Sequence, residues 1–133
     1  MRSMNEAMLI GHVGGDPECR TLQSGDEVAN FTLATNERYT DAKGEEREST
    51  EWHRIVAFKG RARVIRDYVR KGQPLLVRGK IRTRQWEDQE GARRVSREIV
   101  LAGPSAVLNL LPSGSAMEPE EGGEEPAAEE EAA

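Results

Sequence analysis

Residues 77–86 read Val-Arg-Gly-Lys-Ile-Arg-Thr-Arg-Gln-Trp, so Arg78, Lys80, Arg82, Arg84 and Trp86 occupy alternate positions. Side chains of a β-strand alternate between its two faces. As one strand, this segment puts four cations and an indole on one face, with Val77 and Ile81 on the other. Cations attract phosphates and flat rings stack on bases, a mixture that suits single-stranded nucleic acid. A solvated strand whose tryptophan covers a core edge would leave the same pattern.

The remaining aromatics extend the pattern. The chain has only six: Phe31, Tyr39, Trp52, Phe58, Tyr68 and Trp86. Phe31 lies in an apolar strand and Tyr68 in a helical stretch, which is the pattern of core residues. Trp52 and Phe58 share a strand face with Arg54, and Tyr39 ends a strand next to Arg38. Four aromatics thus stand beside cations, and stacking on them tolerates any base.

Enzymatic chemistry has little support. Gly11-His12-Val13-Gly14-Gly15 follows a strand, but Asp16-Pro17 comes next and no helix opens there, so it fails as a dinucleotide loop; no Walker A sequence exists. His12 and His53 form no cluster with Cys or acidic residues at metal-ligand spacing, and nothing marks a Ser-His-Asp set. No catalytic residue, metal or cofactor is expected.

The formal net charge of −5 conceals an asymmetry. Of 24 acidic residues, eight glutamates lie in residues 113–133, which hold no Lys or Arg; the body keeps 16 acids against 19 bases. A basic body with an acidic arm is a common layout in nucleic-acid binders. The single cysteine, Cys19, excludes an internal disulfide. No apolar run approaches the ~18 residues that cross a bilayer. The first residues lack a signal-peptide core, so the expected compartment is the cytoplasm, at the nucleoid.

The elements that would position these residues follow from periodicity and turn chemistry. Strands are expected at 8–13, 28–39, 50–58, 73–86 and 95–101, with a polar hairpin loop over 40–49 and a polar turn around Gly91. Residues 61–71 change period: Ala62, Ile65 and Val69 recur at helical spacing, and Gly72 stops the helix. A short apolar stretch, 107–111, lies between Pro104 and Pro112. Gly/Pro/Glu low complexity follows and is expected to be disordered. No internal repeat stands out. The expectation is an all-β chain: a five-stranded OB-fold barrel over residues 1–112, with one helix between strands three and four, and a disordered acidic tail over 113–133.

The chain also resembles a known family. Residues 9–18 (Leu-Ile-Gly-His-Val-Gly-Gly-Asp-Pro-Glu), 28–35 (Val-Ala-Asn-Phe-Thr-Leu-Ala-Thr), 50–58 (Thr-Glu-Trp-His-Arg-Ile-Val-Ala-Phe), 68–72 (Tyr-Val-Arg-Lys-Gly) and 77–86 are similar to bacterial single-stranded DNA-binding proteins, in order and at family spacing. The resemblance implies an OB fold, a homotetramer and DNA wrapped over the protein. It implies base stacking on Tyr39, Trp52, Phe58 and Trp86, and backbone contacts from Arg54, Lys71, Arg84, Arg82 and Arg20. His53 falls at a subunit-interface position, or is simply a hydrogen-bonded strand histidine. The best-known members carry Trp where Tyr39 stands, and many carry an aromatic near Val95. Family tails usually end in Pro-Phe. This one ends Glu129-Glu130-Glu131-Ala132-Ala133, so recruitment of replication and repair enzymes through such a tip is not expected. The function implied is sequence-tolerant coating of single-stranded DNA in replication, recombination and repair. The alternative is an accessory protein of the same fold, in a primosome or in conjugation, acting mainly through protein contacts.

Overall fold

The computed structural model describes residues 2–112. The domain boundary after residue 112 and the expectations placed on the tail involve residues outside that range. The elements are β1 (Ala7–Val13), β2 (Glu18–Thr21), β3 (Glu27–Thr40), β4 (Glu46–Phe58), α1 (Gly60–Tyr68), β5 (Pro74–Glu87), β6 (Arg93–Leu101) and β7 (Val107–Leu110).

Five strands close on themselves in the order β1-β3-β4-β6-β5, and β5 pairs back onto β1. All these ladders are antiparallel except β4–β6, which is parallel. α1 falls between the third and fourth barrel strands, as expected for an OB fold. Alternation decides which residues turn inward. Odd positions fill the core: Ala29, Phe31 and Leu33 of β3, Ile55 and Ala57 of β4, Leu75 and Val77 of β5, Ile99 and Leu101 of β6. Each fully buried Leu or Ile contributes about 1.5–3 kcal/mol by leaving water. Even positions of the same strands therefore face out. Closure brings backbones together where a side chain would not fit. A Cβ on Gly79 would strike the Val100 carbonyl, and one on Gly11 the Ala34 carbonyl.

α1 seals the barrel with Ala62 and Ile65, joined by Val69 just past its end, all buried. Arg66 on its outer side donates from Nη1 to Glu27 Oε1 at 2.7 Å. Arg61 donates to the carbonyls of Gly103 and Ala106, at 2.9 and 3.0 Å, pinning the connection between β6 and β7.

Tyr68, expected in the core, is instead 65% exposed at the end of α1, on the helix face turned from the barrel. Three elements also depart from the sequence expectations. β2 pairs with β3, yet its four residues are all exposed, so no apolar alternation announced it. β7 pairs with β5 through Leu75↔Leu110 to Arg78↔Val107, where the sequence shows only a short apolar stretch. Half of the polar segment 40–49 is ladder: β3 and β4 pair without interruption from Val28↔Phe58 to Thr40↔Glu46, leaving 41–45 as the loop. Beyond the barrel both faces of this ribbon meet water, so its strands need no alternation. The far half of β5, Lys80–Glu87, forms a second exposed ribbon with β6.

Candidate nucleic-acid interface

The outward face of β3, β4, β6 and β5 gathers most of the residues singled out above. The register defines its rows. Thr32, Arg54, Glu98 and Arg82 lie side by side across four strands. Asn30, Val56, Val100 and Lys80 form the row beside them. Arg20 of β2 lies opposite Val28, which lies opposite Phe58. Neighbouring strands stand about 4.8 Å apart, so adjacent side chains in a row are within reach of one nucleotide.

Trp52 stands on this face, 59% exposed, opposite Ala34. Its ring lies over Gly14: a Cβ there would come within 2.5 Å of the indole and 2.7 Å of the Thr32 hydroxyl. The β1–β2 loop thus sets the pose of the indole by having no side chain at that point. The same loop places Lys71, since Asp16 Oδ1 accepts the Lys71 backbone N–H at 2.9 Å. Phe58, half-buried at the end of β4, borders a shallow groove lined by Lys59, Arg61, Val64 and Leu108. Trp86 is 44% exposed on the second ribbon, two positions beyond Arg84.

Glu98 is a functional candidate that the sequence pattern does not single out. It is only 5% exposed, and its carboxylate takes Arg82 at 3.4 Å and Arg84 at 3.2 Å. Arg82 reaches Glu98 through Nη2 and Arg84 through Nε, while about half of each side chain stays in water. Nothing in the local sequence marks Glu98, because its partners are 14 and 16 positions away.

Two of the expected residues lie elsewhere. Tyr39 is half-exposed but, by unbroken alternation along β3–β4, stands on the opposite side of its ribbon from Trp52 and Arg54. His53 turns to that side too and shares a 3.0 Å hydrogen bond with Thr35 Oγ1.

The two ribbon tips are built alike. In the first, Asp41 Oδ1 accepts the N–H groups of Lys43 and Glu45, and Oδ2 accepts Arg47 Nε at 2.9 Å. In the second, Asp88 Oδ1 accepts those of Glu90 and Ala92, and Oδ2 accepts Arg94 Nε at 2.8 Å. Gly44 and Gly91 supply the left-handed turn residue, at φ 82° and 83°. These bonds favour the charged carboxylate, so both aspartates titrate below the ordinary range. For Asp41 the Arg47 bond is the largest cause; for Asp88 it is the Ala92 N–H, followed by Arg94.

A closed OB barrel with an open face of rings and cations defines a class of oligonucleotide-binding folds. This chain belongs to the single-strand binding protein family, whose model matches residues 4–107. It is 46% identical over 111 residues to a protein of Rhizobium meliloti (strain 1021) named single-stranded DNA-binding protein. That match covers 82% of this chain and 64% of the relative, so the chain spans less than two thirds of that protein's length. A solved Plasmodium falciparum SSB in complex with ssDNA superposes with a TM-score of 0.79 at 38% identity, covering 84% of this chain and 98% of that one.

Proposed function

We propose that the protein binds single-stranded DNA without sequence preference and coats it stoichiometrically, without turnover, while strands are exposed in replication, recombination and repair. One observation carries this reading. A single outward face spans several strands and sets Trp52, Phe58 and Trp86 among Arg20, Arg54, Lys80, Arg82 and Arg84. Rings would stack on bases and guanidiniums would hold phosphates, which reads the chemistry shared by all nucleotides. The Rhizobium relative's name and the single strand held in the Plasmodium structure support the same chemistry. Lys71 would meet the strand as it leaves Trp52, and Tyr39 would stack on a segment that wraps to the other side.

The protein acts as a homotetramer on this reading, in the cytoplasm at the nucleoid. One barrel offers only a short track, and Met8 and Ile10 leave an apolar strip of β1 61% and 62% exposed, ready to be covered by another copy. His53 lies on the side away from the DNA face, as an interface residue would.

Titrating intrinsic Trp emission with oligo-dT of increasing length tests the function. Strong quenching with a fixed nucleotide-to-protein ratio is expected, and Trp52→Ala or Trp86→Ala should each cost ~1–3 kcal/mol of binding. Absence of quenching and of coating would instead favour an accessory protein working through protein contacts. Light scattering tests the tetramer, and a monomer at micromolar concentration would refute it.

A further inference from the structure

The ribbon tips repeat a nine-residue pattern. Tyr39, Asp41, Gly44 and Arg47 recur as Trp86, Asp88, Gly91 and Arg94, at the same spacing. Register adds what spacing does not show. Tyr39 lies directly opposite Arg47, and Trp86 directly opposite Arg94. Directly opposed residues on one face keep their Cβ atoms about 4.5–5.5 Å apart. Each tip thus sets a ring beside an arginine whose Nε is fastened to the turn aspartate.

We propose that Arg94 is a phosphate-binding residue of the interface, forming with Trp86 a clamp for one nucleotide. This rests on the reading of the face as a single-strand binder. Asp88 takes only Nε, so both Nη groups of Arg94 keep their donors, and the side chain is 56% exposed. Among the described residues the guanidinium has no other partner. A base stacked on Trp86 brings its own phosphate beside that fork, and a guanidinium matches a phosphate with two parallel bonds. Fixing Nε beforehand removes rotamer freedom that would otherwise be lost on binding. The first ribbon is the weaker copy: Arg47 also gives an Nη to Glu45 Oε1 at 3.3 Å, which leaves fewer donors and less net charge.

The test uses full-length protein, oligo-dT and a salt series. Arg94→Ala should weaken binding several-fold at low salt and lower the slope of log K against log salt by about 0.7, one phosphate's worth for a single strand. Arg94→Lys should keep the slope and recover part of the affinity. Arg93→Ala removes the same charge from the next residue, which lies opposite Glu87 on the other side of the ribbon, and should change the slope little. Arg47→Ala should have less effect than Arg94→Ala. Equal losses from Arg93→Ala and Arg94→Ala would overturn the proposal in favour of bulk charge. An Arg94→Ala protein indistinguishable from the parent, while Trp86→Ala still weakens binding, would overturn the clamp but leave the proposed function standing. No binding of oligo-dT by the parent chain would overturn both. Should Arg94→Ala lose its thermal transition, the Lys variant decides: an unchanged affinity there removes any role for the fork.

Discussion

At the scale of single residues, two positions behind the rings and cations shape the interface, Gly14 and Glu98. Gly14 makes room for the Trp52 ring, and its φ is not in the left-handed region, so the requirement there is space alone. Gly14→Ala should therefore push the indole outward and leave the barrel nearly intact. We expect a shifted Trp emission maximum and weaker oligo-dT binding, with little change in Tm; an unaltered spectrum would show that the ring accommodates the methyl group. Glu98 works in the opposite sense. It orients Arg82 and Arg84 but sets a negative charge into a cationic face. Glu98→Gln should tighten binding at low salt and steepen the salt dependence by roughly one phosphate equivalent, ~0.7 in slope. Weaker binding would mean that orientation outweighs charge.

At the scale of elements, the two ribbons project beyond the barrel without a core of their own. Their shape is kept by the ladder and by the aspartate at each tip. Asp41 and Asp88 have lowered pKa values in the folded chain. A depressed folded pKa contributes stability that is fully present above the unfolded aspartate value of about 3.9 and is lost as pH falls through the folded value. The tips should therefore hold their order at neutral pH and loosen as the solution is acidified below about pH 4. Amide exchange at Glu45 and Ala92, whose N–H groups bond the aspartates, reads this directly. Protection that persists unchanged through that range would show that the ladder alone holds the tips.

At the scale of the whole molecule, charge is divided between a basic body and the glutamates that follow Pro112 in the chain. Tethering would give those glutamates a high effective concentration at the cationic face. Attraction between exposed charges fades as salt screens it. Removing residues 113–133 should tighten DNA binding at low salt and change it little at high salt, as read by oligo-dT titration of both chains. Weaker binding by the shortened chain at low salt would exclude competition.

The sequence by itself determined the barrel strands, the helix and the ring-and-cation face. Inward apolar residues at period two, helical spacing over Ala62, Ile65 and Val69, and glycine turns are local signals, legible wherever one side of an element is buried. The alternation of Arg82, Arg84 and Trp86 needed only the knowledge that 77–86 is a strand. Where both faces meet water, as in β2 and the ribbon over 40–49, burial imposes no pattern, and only backbone pairing with the neighbouring strand made the element. The same holds for the parts that tune the face. Gly14 meets Trp52 across the barrel, whereas Glu98 meets Arg82 and Arg84, and Tyr39 parts from Trp52, through the register of hairpin strands. Those relations were decided by the paired sheet, since only the register of the folded strands fixes which positions share a row and a face.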